Sequence, residues 1–202
     1  MKRTVIVSCS ALAALLLAAA PLVHAADAKA APAKAAAAVK ASGAATERAD
    51  VLRSLGDAKE KLISLAEATP AEKFAWRPAE GVRSVGEVYL HVAQANFGLP
   101  TLWGGKPAEG VDVKNLEKEG GDKAKTVDLL KRSFDHAQSA IDAVPEADLG
   151  KEVNLFGRQT TVNGVVVLLA SHAHEHLGQS IAYARMNGIV PPWSAAQGKK
   201  TD

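Results

Sequence analysis

TVNGVVVLLASHAHEHLGQSIAYARM, residues 161–186, admits two readings with opposite consequences. The run Val165–Leu169 has the β-branched composition of a strand, and a strand ending in His-x-His would set His172 and His174 on one face. The longer window argues for a helix. Val166, Ala170, Ala173, Leu177, Ile181 and Ala184 follow each other at intervals of three and four residues, and so do Val165, Leu169, His172, His176, Gln179 and Tyr183. Two adjacent stripes of that spacing define a helical face, and no alternation of period two fits. Asn187-Gly188 then supplies a stop, and Pro191-Pro192 prevents continuation. The spacing predicts a helix of about 25 residues starting near Thr161.

On a helix, residues four apart lie one above the other, whereas residues two apart point away from each other. His172 and His176 therefore share an inward stripe and His174 leaves it. An i, i+4 histidine pair offers two imidazoles to one cation; two core histidines bonded to each other or to backbone are the plainer alternative. A third histidine shifts the balance. His91 borders the apolar stripe of an earlier helix, beside Val88 and Ala95, where an imidazole needs a partner. Metal sites in bundles are built from facing side chains in this way. Three neutral ring nitrogens would leave positions open for water, as catalytic sites do. Gln179 continues the stripe and is placed to orient a ligand from behind. Glu175 reads as a helix-face carboxylate, and no role follows for it or for His174.

Three further helices are predicted by the same spacing. Val51, Leu55, Ala58, Leu62 and Leu65 mark one from about Thr46 to Ala68. Ser84 and Glu87 form a capping box at the head of a second, whose buried face is Val85, Val88, Val92, Ala95 and Leu99. That box accounts for Glu87 without any metal, although it lies one turn before His91. Val127, Leu130, Phe134, Ala137, Ile141 and Val144 mark a third, ending at Pro145, with His136 off the stripe and facing solvent. Residues 104–121, GGKPAEGVDVKNLEKEGG, have no legible layout, and residues 153–161, VNLFGRQTT, read as an extended piece or small turn around Gly157.

The 202-residue chain does not fold along its whole length. Met1-Lys2-Arg3 followed by an uncharged apolar run to Val23-His24-Ala25 matches a secretory signal, with cleavage expected after Ala25. Pro21 and the alanine-rich composition favour cleavage over a retained membrane anchor, so no stable membrane insertion is expected afterwards. Cys9, the sole cysteine, would leave with the signal. A mature chain without thiols suits an exported, periplasmic or secreted location. Loss of Lys2 and Arg3 also takes Lys+Arg from 24 to 22, equal to Asp+Glu, which leaves no basic footprint for nucleic acid. Residues 26–45 have no large apolar side chain beyond Val39 and read as an Ala/Lys-rich disordered linker. One domain is expected over residues 46–197, with a disordered tail at 198–202.

Two stretches resemble the DinB/YfiT-like superfamily: EKFAWRPAEGVRSVGEVYLHVAQAN (72–96) and LLASHAHEHLGQSIAYARMNGIVPP (168–192). The shared pattern is Trp76-Arg77-Pro78, then the Ser84-capped helix with His91, then His172, His176, Gly178 and Gln179, closing on Arg185, Gly188, Pro191 and Pro192. The resemblance implies an all-α, up-down-down-up four-helix bundle. It also implies a divalent transition metal (Zn, Ni or Mn) on the three histidines, and it admits a homodimer. Relatives of that kind include thiol-dependent S-transferases and metal-dependent hydrolases. Low-molecular-weight thiols are cytosolic, so an exported chain turns the expectation toward a metal-dependent hydrolase acting on a small molecule, with a non-catalytic metal- or ligand-binding bundle and a thiol-dependent S-transferase as the alternatives.

Overall fold

The computed structural model describes residues 27–198, with side chains over residues 47–196. The expected signal sequence lies outside the described residues, as does the expected tail beyond Gly198. Four long helices carry the fold: α1 (Asp27–Ala68), α2 (Val85–Gly98), α3 (Lys123–Asp142) and α4 (Val162–Met186). A short α5 (Pro192–Gly198) follows, and one antiparallel hairpin, β1 (Glu152–Leu155) with β2 (Arg158–Thr161), joins α3 to α4. The backbone of α1 is already helical at Asp27, well before Thr46. Alanine is the strongest helix former, so the Ala/Lys-rich stretch read as a linker carries helical backbone without an apolar stripe. Residues 27–38 belong to a separate unit from the one that begins at Val39 and holds the core. No helix among the described residues is long and apolar enough to cross a membrane.

The apolar stripes meet in one core. Leu55, Ala58 and Leu62 of α1, Val88 and Val92 of α2, Leu130 and Phe134 of α3, and Val165, Val166 and Leu169 of α4 are fully buried within it. Val167 settles the character of Val165–Leu169. It is 47 % exposed, while Val165 and Leu169, two residues to either side, are wholly buried. A strand would put all three on one face, whereas a helix turns Val167 away from the other two. Packing overrides local β propensity here, and the Thr161 hydroxyl caps the helix by accepting from Gly164 N at 3.1 Å.

α2 is the most enclosed helix, packed against α3, α4 and a 3-10 turn, Val113–Glu119, in the connection before α3. Its start has the predicted reciprocal box: Glu87 N donates to Ser84 Oγ, and Ser84 N donates to Glu87 Oε2 at 2.7 Å. Glu87 also pairs with Arg77, so its carboxylate is committed away from the histidines. The connection, illegible in sequence, forms a second small core in which Leu116 and Val113 pack on Leu90, Ala93 and Phe97. His136 departs from expectation. It is half-buried against Phe97 of α2, at 5.5 Å between ring centroids.

Candidate metal centre

α2 and α4 face each other across the core and bring three imidazoles together. His172 Nε2 lies 3.2 Å from His91 Nε2 and 3.1 Å from His176 Nε2. One ring nitrogen from each residue falls within 4.8 Å of the others. His174 leaves this group, as the helical spacing requires. Its ring meets the hydroxyl and carbonyl of Ser54 on α1, at 3.1 and 3.0 Å. Glu175 is exposed.

The outer nitrogens of the rings are treated unequally. His176 Nδ1 lies 2.8 Å from Gln179 Oε1, and Gln179 Nε2 donates onward to the Tyr183 hydroxyl at 3.0 Å. Tyr183 in turn packs edge-on against Trp76 at 5.5 Å. His91 Nδ1 lies 2.8 Å from Glu117 Oε1. His172 Nδ1 is buried and has no partner. Glu117 is invisible to periodicity, since it sits in the irregular connection 26 residues beyond His91. The nearest signal is Gly120-Gly121 just after it, a pair that permits close backbone approach. Arg83 forks onto Glu117 with bonds of 2.8 and 3.2 Å.

Burial keeps two of the rings neutral. It lowers the His172 pKa to about 4, with repulsion from His176, His91 and Arg83 acting in the same sense. Burial also lowers that of His91, against the pull of Glu117. For Glu117, burial alone would raise the carboxyl, but bonds from Arg83 and His91 outweigh it and draw the value down. The result is an uncharged His91 and His172 beside an ionised carboxylate.

These residues suit a transition-metal ion. Three nitrogens bound tetrahedrally at about 2.0–2.1 Å would sit roughly 3.3 Å apart, close to the 3.2 and 3.1 Å from His172 Nε2 to the other two rings. Neutral imidazole is the form that ligates. His172 Nε2 faces two other ring nitrogens at 3.2 and 3.1 Å, and its single proton can make a good bond to only one of them. The side chain of His91 is 24 % exposed, so solvent reaches the group from that side. The prominent cavity of the described residues, about 670 Å³, lies elsewhere. It is lined by Leu102, Trp103, Lys106, His136 and Ser139 among others, and by none of the three histidines.

The chain is thus a mostly helical protein with three histidines close enough to hold a metal ion. The DinB superfamily profile matches residues 54–180, and the chain belongs to that superfamily. A solved DinB-like protein from Bacillus cereus ATCC 10987 is 19 % identical with a TM-score of 0.61, over 70 % of this chain and 93 % of that one. A second, YjoA from Bacillus subtilis, is 21 % identical over the same shares, with a TM-score of 0.49. No curated protein matches the sequence.

Proposed function

We propose that the protein is an exported, divalent-metal-binding DinB-like bundle in which His91, His172 and His176 hold one ion and the centre hydrolyses a small molecule. The observation that carries the reading is the convergence of one ring nitrogen from each histidine within 4.8 Å, with His172 Nε2 at 3.2 and 3.1 Å from the Nε2 atoms of His91 and His176 and with partners behind those two rings at Nδ1. An all-imidazole donor set suits Zn or Ni better than Mn. Bound there, such an ion supplies a Lewis acid and lowers the pKa of a coordinated water to about 7. The chain's own residues orient the imidazoles, keep His91 and His172 uncharged, and leave the His91 side open for water and substrate.

The same reading takes the four long helices in the family's up-down-down-up order. Residues 1–25 serve as a cleaved signal leading to the periplasm or outside. Its supports are the basic start, the apolar run, the small-residue end and a remaining sequence without cysteine. The balanced charge after Ala25 favours a small-molecule partner over nucleic acid. Metal analysis of untagged protein purified without chelator tests the centre. About one equivalent of a transition metal is expected, and less than a tenth, not recovered on adding Zn or Ni, would sink the proposal. Ester, amide and phosphate substrates, assayed with and without metal, then test hydrolysis. A binding role without catalysis is favoured by one observation, the 670 Å³ cavity walled by Trp103 and remote from the histidines. Ligand-induced change in Trp103 fluorescence, absent in Trp103→Phe, would support that alternative.

A further inference from the structure

We propose that Glu117 is a positioning residue that fixes His91 as the Nδ1–H tautomer, so that the connection between α2 and α3 is part of the histidine centre and not a spacer beside it. The inference deepens the metal-centre reading and rests on it for its consequence, though not for its own test.

Donor and acceptor chemistry sets the tautomer. An ionised carboxylate can only accept. Glu117 Oε1 lies 2.8 Å from His91 Nδ1, so the proton of a neutral His91 ring belongs on Nδ1 and the Nε2 lone pair faces the other rings. Gln179 does not fix His176 with the same certainty, because an amide can turn and offer its N–H₂ instead. Glu117 is therefore the one acceptor-only group behind the cluster among the described residues.

Its own position is held twice over. Arg83 grips both carboxylate oxygens, a planar fork that sets direction as well as distance. The turn that carries Glu117 is pressed onto α2, where Gln94 Nε2 donates to Val113 O at 2.7 Å. Leu116 is buried against the same helix, and Gly86 meets Gly120 at its far end.

A consequence follows inside the cluster. With His91 Nε2 unprotonated, the 3.2 Å contact to His172 Nε2 is a hydrogen bond only if His172 carries its proton on Nε2. That leaves the partnerless His172 Nδ1 unprotonated.

Nitrogen-15 NMR of histidine-labelled, metal-free protein tests this directly, with each ring assigned by single substitution. The wild type should show His91 protonated at Nδ1 alone. Glu117→Met keeps the unbranched shape without an acceptor. It should move His91 toward the Nε2–H form and weaken zinc binding, measured by chelator competition, by about tenfold or more. Glu117→Gln restores an acceptor oxygen and should recover most of both. If wild-type His91 carries its proton on Nε2, or if Glu117→Met leaves it on Nδ1, the proposal is overturned. The wild-type spectrum decides even where Glu117→Met folds poorly. Should the wild type bind no zinc, the metal reading fails while the tautomer result still stands or falls by itself.

Discussion

Gly86 and Gly120 meet backbone to backbone: a Cβ on Gly86 would fall 1.7 Å from the Gly120 carbonyl oxygen, and one on Gly120 would fall 2.6 Å from Glu87 N. Neither neighbour is a flexible side chain that could step aside. This contact seats the end of the connection on the first turn of α2, close in sequence to Glu117 on one side and to His91 on the other.

Gly86→Ala should therefore destabilise by about 1–3 kcal/mol, the usual range for overpacking, as measured by urea unfolding. Gly178→Ala is the control. Gly178 is exposed in mid-helix with nothing within 4 Å of its missing Cβ, so alanine there should be neutral or stabilise by up to about 1 kcal/mol. Equal losses at the two sites would mean that the close approach is not what matters.

His91→Ala should abolish zinc binding, and His174→Ala should leave it within about twofold, since His174 turns toward Ser54 on α1. Removing that tie should cost about 0.5–1.5 kcal/mol of stability. The pair separates a ligand distant in sequence from a histidine that merely stands between two ligands. Comparable zinc loss in both variants would contradict the helical placement of the rings.

Acid should destabilise the metal-free protein across a defined window. In the folded chain the His172 pKa lies at about 4, below the ordinary value of about 6.5 expected on unfolding. Between those limits the unfolded chain binds more protons. The stabilising contribution is thus full above about pH 6.5 and is lost as the pH falls towards 4. The lowered His91 acts with the same sign. Urea midpoints of chelator-treated protein should drop over this range, and His172→Gln should flatten the slope. A slope unchanged in His172→Gln would remove His172 as its source.

The hairpin contains a removable strain. Phe156 and Gly157, the two residues between β1 and β2, both have positive φ, +51° and +88°. A bulky side chain resists that region, where asparagine is at ease. Phe156 is also 89 % exposed, so it gives little packing in return. Phe156→Asn should raise stability by about 1 kcal/mol in thermal or urea unfolding, and a loss of stability would show that Phe156 makes a contact in solution.

The parts of this molecule that were legible in sequence are those governed by periodicity. The stripes of the four helices, the Ser84–Glu87 box and the opposed directions of His172 and His174 follow from helical geometry alone. So does the meeting of His91 with the α4 pair, once two facing helices are granted. What spacing could not disclose lies in irregular backbone. Glu117 reaches His91 because a 3-10 turn folds back onto α2, a long-range contact with no local period. His136 is half-buried by another contact distant in sequence, the Phe97 ring of α2. At the other end, the alanine-rich stretch before Thr46 has helical backbone where the absence of apolar side chains suggested none.

The unequal support of the three rings gives the centre an internal order. His91 is set by a carboxylate and His176 has an amide behind it, while the buried Nδ1 of His172 touches no polar group. That ring is held by packing and by its Nε2 contacts to His91 and His176 at 3.2 and 3.1 Å. The centre thus has two rings anchored from outside and a third anchored only from within. An ion seated there would meet His91 and His176 oriented by the surrounding protein, whereas the direction of His172 depends on the other two rings.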